Sequence, residues 1–313
     1  MHSGAGIMQR VTGNYYDRDM AAALVRGAAA AYGEEREMSA WAQAQGCDGC
    51  EVFRDVRSDT LGFAAAGEER LFVVFRGTRD LRNWISDLDC RLVNVAPVLR
   101  GGGEIANCKL SIANLQSPLE VHEGFWRALG AVWEELEDIL DTLARGRAEI
   151  FFAGHSLGGA LAMLAAARWE WSAVVPTAAF GVSPKDSAGV PGGTPATATG
   201  TVALPKTWLY TFGQPRVGNG AWAAWYDGML RGRSFRVVHG EDVVPRVPWL
   251  LNWYRHAGTE IFYDALGAVH VDWPWWRKAP GDVFGSLAEW TRSGRVALVG
   301  DHGVGSYIEM LKS

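Results

Sequence analysis

The chain has 313 residues, 48% hydrophobic and 21% charged, with a formal net charge of -5. That length can bury the core of one large α/β domain or two small ones, and the acidic balance offers no basic field for steering nucleic acid. No apolar run approaches the roughly 20 residues that span a bilayer, and the opening "MHSGAGIMQR" lacks an apolar secretory segment, so a soluble mature chain of open compartment is expected.

In chain order, Ala21 to Tyr32 is alanine-rich and reads as a helix. "CDGC", carrying Cys47 and Cys50, has zinc-ligand spacing, but no second C-x-x-C or paired histidine completes a tetrahedral set, and spacing alone does not establish a Cys90 to Cys108 bridge. "TLGFAAAG" and "RLFVVFRGT" are short apolar runs ending in glycine, as strands do. In "TRDLRNWISDLDCRL", Asp80 is placed as an N-cap, with Leu81, Trp84, Ile85, Leu88 and Leu92 on one helical face and Arg82, Asn83, Ser86, Asp87 and Asp89 opposite.

"FWRALGAVWEELEDILDTLARG" sets Phe125, Leu129, Val132, Leu136, Ile139 and Leu143 at helical spacing, with Gly146 as a C-terminal stop. "EIFFAG" then reads as a buried strand, Leu157 to about Trp171 as a helix, and "TWLYTFG", "SFRVVHG" and "AGTEIFYD" as further strands. Strands alternating with helices predict a mainly parallel sheet covered on its faces. Ser183 to Lys206, rich in proline, glycine and threonine, has neither period and reads as a surface insertion in a single domain over 1–313. Among the 15 tryptophans, those crowded beside prolines in "VPWLLNWY" and "VDWPWWRK" suit a surface that meets an apolar phase.

The stretch "EIFFAGHSLGGALAML" places Gly154, Ser156 and Gly158 at alternate positions between a strand and a helix, the context of a nucleophile elbow. A glycine-softened turn is the plainer reading, so the partners of a nucleophilic serine must be sought: a histidine base, an acid to orient it, and donors for the oxyanion. In this architecture the acid and the histidine follow the serine. Asp242, just past "SFRVVHG", fits the acid, with Glu241 its immediate rival; Asp264 and Asp272 follow a later strand and read as solvated surface charge. His2 lies in the terminal segment, and His122, His155 and His239 come too early in the chain order, leaving His256, His270 and His302. His256 begins a strand-like segment and His270 alternates with apolar residues, whereas His302 sits in the glycine-flanked loop "VGDHGVGSY", where a side chain can swing onto a serine. The backbone N–H of Leu157 and a second donor from the "FRGT" loop, Thr78, are the oxyanion candidates. The amphipathic segment after Thr78 either packs on the core or acts as a lid.

Together, "FRGT", "NWISDLD", "VHEGF", "GHSLGGA", "TFGQPRVGN", "GEDVVPRVP", "GTEI" and the final "DH" occur in family order, and the chain resembles the class 3, fungal-type lipases of the α/β-hydrolase fold from about Ala21 to Tyr307. The resemblance implies Ser156 as nucleophile, Asp242 as orienting acid, His302 as base, Thr78 and Leu157 as oxyanion donors, and the segment around Trp84, with Leu81, Ile85 and Leu88, as a lid that opens at a lipid–water interface. It implies a lipid ester substrate and slightly favours a secreted mature form; no cofactor or metal is expected, and charge and the lack of a long apolar run already argue against a nucleic-acid partner and a transmembrane segment. Two departures stand out: Tyr307 in "GVGSY" lies farther beyond the histidine than the family pattern places its tyrosine, and the insertion at 183–206 is long. The same triad also serves phospholipase A1, galactolipase and feruloyl or short-chain esterase activities, and a non-catalytic lipid-binding protein on this scaffold is the reading from a different class.

Overall fold

The computed structural model describes residues 8–11, 14–79, 90–95, 117–174, 205–240, 242–248, 253–264, 266–273 and 302–312. An antiparallel hairpin of β1 (Met8–Val11) and β2 (Asn14–Asp17) leads into α1 (Arg18–Ala30), whose first turn is capped by the Asp17 carboxylate accepting from Met20 N–H. Helix α2 (Glu35–Ala44) follows, closed at its start by a reciprocal capping box between Glu34 and Glu37. Next come β3 (Cys50–Asp55), β4 (Thr60–Ala66) and β5 (Arg70–Phe75), a short β6 (Leu92–Asn94), β7 (Glu120–His122) and the long helix α3 (Glu123–Leu143).

The second half contains β8 (Glu149–His155), α4 (Leu157–Val174), β9 (Lys206–Phe212), β10 (Gly218–Asn219), α5 (Gly220–Leu230) and β11 (Ser234–His239). It closes with β12 (Tyr254–Arg255), β13 (Thr259–Tyr263), β14 (Val269–Val271) and α6 (Val304–Lys312). The main sheet runs β14-β13-β11-β9-β8-β5-β4-β3. Its centre, from β13 to β5, is parallel, and antiparallel strands close both margins. A smaller antiparallel sheet, β12-β10-β7-β6, sits beside it. The expected α/β-hydrolase architecture is therefore present, and the elements not read from periodicity include helices α2, α5 and α6, strand β3 and the short strands of the hairpin and the smaller sheet.

Alternation along the central strands divides the core in two. Leu71, Val73, Phe75, Ile150 and Phe152 pack on the α3, α4 and α5 side, while Phe72, Val74, Phe151 and Ala153 pack on the side of α1, α2 and α6. A sheet covered on both faces cannot alternate apolar with polar, which is why "LFVVF" and "IFFA" read as unbroken apolar runs. Each fully buried aromatic or branched side chain contributes roughly 1.5–3 kcal/mol of apolar transfer energy.

Register aligns the carboxyl ends of these strands. Phe75 lies opposite Gly154, His155 opposite Phe212, Phe212 opposite Val237, and His239 opposite Tyr263. The loops leaving β5, β8, β9 and β11 therefore meet along one sheet edge, where ligands of open α/β sheets bind. Residues 80–89, which hold most of the amphipathic segment, and residues 175–204, which hold nearly all of the insertion, lie outside the described residues, whereas Leu92, expected on the helical face, begins strand β6 instead.

Candidate active site

Ser156 occupies the single residue between β8 and α4, with φ +59°, a left-handed conformation that a side chain adopts only under constraint. The constraint is visible on both sides. A Cβ at Gly154 would stand 2.3 Å from the Gly158 carbonyl, and one at Gly158 would stand 2.4 Å from the Phe75 carbonyl oxygen. Backbone thus passes directly over backbone, and Ser156 N–H donates to Phe212 O at 2.9 Å, tying the turn to the end of β9.

Asp242 and His302, far apart in the chain, meet at the same edge. His302 Nδ1–H donates to Asp242 Oδ2 at 2.8 Å and Oδ1 at 3.0 Å; an ionised carboxylate only accepts, so the remaining lone pair of the ring is on Nε2. Asp242 is buried and has two further donors, Val244 N–H at 2.9 Å and Tyr307 Oη–H at 2.6 Å. A buried carboxylate needs such a set of donors to stay charged. Gly213, at φ +61°, lies under the pair: a Cβ there would come within 2.7 Å of Asp242 Oδ2 and 2.9 Å of the His302 ring.

The loop after Asp242 is held by Arg216, whose guanidinium donates to Pro248 O at 2.7 Å and also to Arg246 O. Burial, reinforced by the charges of Arg236 and Arg255, pulls the Arg216 pKa down to about 10. The "FRGT" loop is fastened in a similar way. Arg76, the first residue past β5, donates to Asp59 O at 2.7 Å and to its carboxylate at 2.5 Å, while a Cβ on Gly77 would fall 3.1 Å from Ser156 Cβ. Thr78 and the α4 N-terminus beginning at Leu157 are thereby brought beside Ser156, and the first peptide N–H groups of a helix have no intrahelical acceptor.

Ser156 Oγ and His302 Nε2 are both buried, and neither has a hydrogen-bond partner among the described residues. Native proteins seldom leave buried polar atoms uncommitted, and a role in chemistry is one explanation for a pair that meets at the same sheet edge.

The competing candidates fall elsewhere. His256 Nε2 is engaged with Pro245 O at 2.6 Å, and His270 stacks on Trp273 while bonding Asp264 at 2.8 Å. Asp264 and Asp272, read from sequence as solvated surface charge, lie away from the serine turn and make local bonds: exposed Asp272 accepts from Glu260 N–H and pairs with Arg231, and Asp264 caps the turn before β14. Glu241 and the lid candidates Leu81, Trp84, Ile85 and Leu88 lie outside the described residues. Cys47 and Cys50 are free thiols, Cys108 lies outside the described residues, and among the described residues no three His, Cys, Asp or Glu side chains converge as a metal site.

Sequence reasoning missed four residues around this centre: Tyr32, His155, Gly213 and Tyr307. Gly213 stood in the quoted "TFGQPRVGN" and Tyr307 in "GVGSY", so a positional signal existed for both.

A buried acid–histidine pair beside a strained serine turn, at the carboxyl edge of a parallel sheet, defines an α/β-hydrolase fold. Residues 72–182 and 194–252 match the lipase (class 3) family, and the chain belongs to that family. A lipase of Rhizomucor miehei is 29% identical over 227 residues, covering 69% of this chain and 50% of that protein. A secreted mono- and diacylglycerol lipase A of Penicillium cyclopium is 26% identical over 72% of this chain and 59% of its own length. Phospholipase A1-II 4 of Oryza sativa subsp. japonica is 28% identical over 71% of this chain and 48% of its own length. The chain thus spans about half the length of the curated relatives it matches. Among solved structures, a triacylglycerol lipase whose catalytic centre is a serine protease triad superposes with a TM-score of 0.59 at 23% identity, covering 91% of this chain and 92% of that one.

Proposed function

We propose that this protein is a carboxylic ester hydrolase acting on lipid esters. Ser156 Oγ attacks the acyl carbonyl while His302 Nε2 takes its proton, Asp242 steadies the imidazolium, and the oxyanion rests on Thr78 and the Leu157 N–H. His302 then returns the proton to the departing alcohol, and water, activated by the same nitrogen, releases the fatty acid. The observation that carries this reading is the buried Asp242–His302 hydrogen bond at the edge where Ser156 is held at φ +59°.

Ser156 is only 1% exposed, so an ester reaches it after a covering segment moves. The cover we assign is the stretch continuing from the Thr78 loop through Leu81, Trp84, Ile85 and Leu88, which opens at a lipid–water interface. The lipases among the relatives support a glyceride substrate, and the phospholipase A1 relative supports a phospholipid one with the same triad. The secreted Penicillium relative supports a secreted mature form.

Ser156→Ala is expected to abolish hydrolysis of emulsified acylglycerols while unfolding stays cooperative, and a phosphonate probe should label the native protein at Ser156 alone. Hydrolysis surviving in that variant refutes the assignment. A panel over acyl length and head group separates glyceride from phospholipid, and a rate that does not jump as one ester passes its solubility limit refutes the interfacial lid.

A further inference from the structure

His155, in the motif residue before the nucleophile, is fully enclosed and both of its ring nitrogens are spoken for. Nε2 lies 2.6 Å from the backbone carbonyl oxygen of His302. A carbonyl only accepts, so Nε2 carries the proton and Nδ1 is the acceptor for Tyr32 Oη–H, 2.9 Å away. The two bonds cross 147 and 123 residues of chain. Tyr32 follows the end of α1, and its hydroxyl lies against the oxyanion loop: a Cβ on Gly77 would meet Tyr32 Oη at 2.1 Å and His155 O at 2.6 Å. One continuous path therefore touches the Gly77–Thr78 loop, the elbow and the loop of His302.

We infer that Tyr32 and His155 are positioning residues, which fix the His302 backbone and the Gly77–Thr78 loop relative to Ser156 through the chain Tyr32 Oη–H to His155 Nδ1 and His155 Nε2–H to His302 O. The inference rests on the triad reading above and adds what sets its distances. Asp242 holds the His302 ring from Nδ1, but a ring pivots about a backbone that must itself be fixed, and His302 stands in the loop two residues before α6. The carbonyl bond to His155 supplies that fixed point, with the two imidazoles 4.6 Å apart between centroids.

The relay works in one protonation state. The groups facing His155 are the Tyr32 hydroxyl, the His302 imidazole and the Tyr307 ring, with the Arg76 charge beyond Tyr32. None is an anion that would stabilise an imidazolium, and burial, then His302, holds the His155 pKa well below its ordinary value. A second proton would face the Tyr32 donor and destroy the acceptor site. Burial likewise pushes the Tyr32 hydroxyl up, so it remains a donor.

His155→Leu removes both bonds, His155→Gln restores a neutral amide donor directed at His302 O, and Tyr32→Phe deletes one oxygen with little risk to folding. With a soluble chromogenic short-chain ester, His155→Leu is expected to lower kcat about 10- to 100-fold at near-constant KM, the size of effect that misplacing a catalytic group by a fraction of an ångström to about 1 Å produces. His155→Gln should recover most of that loss, and Tyr32→Phe should lower kcat about 3- to 10-fold, again without changing KM. In native protein the downfield proton of the His302–Asp242 bond should be sharp, and in His155→Leu broadened. Equal losses in His155→Leu and His155→Gln, or wild-type kcat in Tyr32→Phe, overturn the inference. Failure of the triad reading shows separately, as activity persisting in Ser156→Ala.

Discussion

The two halves of the candidate site are built from different materials. The serine half, from Gly154 to Gly158 with the Gly77 loop, is largely backbone packed on backbone, and at Gly154 and Gly158 carbonyl groups lie 2.3 and 2.4 Å from where a methyl would sit. The acid–base half, Asp242 with Val244, His302 and Tyr307, is a set of charge-assisted hydrogen bonds, one local and two that reach 60 and 65 residues along the chain. The first half is therefore intolerant of volume and the second of lost donors. Substitutions of equal size should damage one and spare the other.

Asp242→Asn tests the second half most severely. The amide keeps the shape but offers an N–H where His302 needs an acceptor, favouring the wrong imidazole tautomer. In serine protease triads that change costs about 10⁴-fold in kcat, about 5 kcal/mol of transition-state stabilisation, and the same is expected here with binding of the ester unaltered. A loss under tenfold would place the orienting acid elsewhere, with Glu241 the first alternative.

Gly158→Ala and Gly154→Ala test the first half. Neither methyl has room, because the atoms it meets are main-chain atoms of Phe75 and Gly158, and a backbone cannot step aside as a flexible side chain can. Each is expected to cost at least about 3 kcal/mol of folding stability in urea titrations, with activity falling in proportion to folded protein. Gly130→Ala, on the α3 helix with no atom within 4 Å of the added carbon, should be neutral or slightly stabilising and serves as the control.

Tyr307→Phe is subtler. It removes one of the donors to a buried carboxylate and leaves Val244 N–H and His302 in place. Hydrogen bonds to charged groups contribute about 1.5–3 kcal/mol, so a stability loss near 2 kcal/mol is expected. With one donor gone the carboxylate is held less firmly against the His302 ring, and kcat should fall about 3- to 10-fold at near-constant KM. An unchanged kcat would mean that Tyr307 braces the fold without orienting the pair.

Local patterns in the sequence made the first half legible and only part of the second. The elbow, the helix from Glu123 and the central strands announce themselves within a dozen residues, because periodicity and glycine spacing are local. Strand β3 escaped because it lies at the sheet margin, where Phe53 is its one deeply buried side chain, and α2 because its short apolar face rests on Met38, Trp41 and Ala42. Asp242 and His302 were reachable through chain order. Tyr32 was not, since its partner lies 123 residues away and nothing next to it signals the contact, and Tyr307 stood out only by its distance beyond His302, with no local sign of its bond to Asp242 65 residues away. His155 was set aside as a base because it precedes the acid, and that logic leaves open what else a histidine beside the nucleophile does.

The smallest effect separates the relay from both halves through pH. His155 in the unfolded chain titrates near the ordinary value of about 6.5, whereas in the folded protein burial keeps it neutral to well below that. Below about pH 6.5 the unfolded state therefore binds one proton more than the folded state, so stability falls as the pH is lowered through this range and is fully present above it. The slope contributed by one such group approaches about 1.4 kcal/mol per pH unit, until the pH reaches the folded-state value. Urea unfolding at pH 7.5, 6.5 and 5.5 should show the native protein losing more stability across the lower interval than His155→Gln, because the amide does not titrate and every other group is shared. Parallel pH dependence in the two proteins would mean that His155 accepts a proton in the folded state, and a histidine able to do so could not serve as the fixed acceptor of Tyr32.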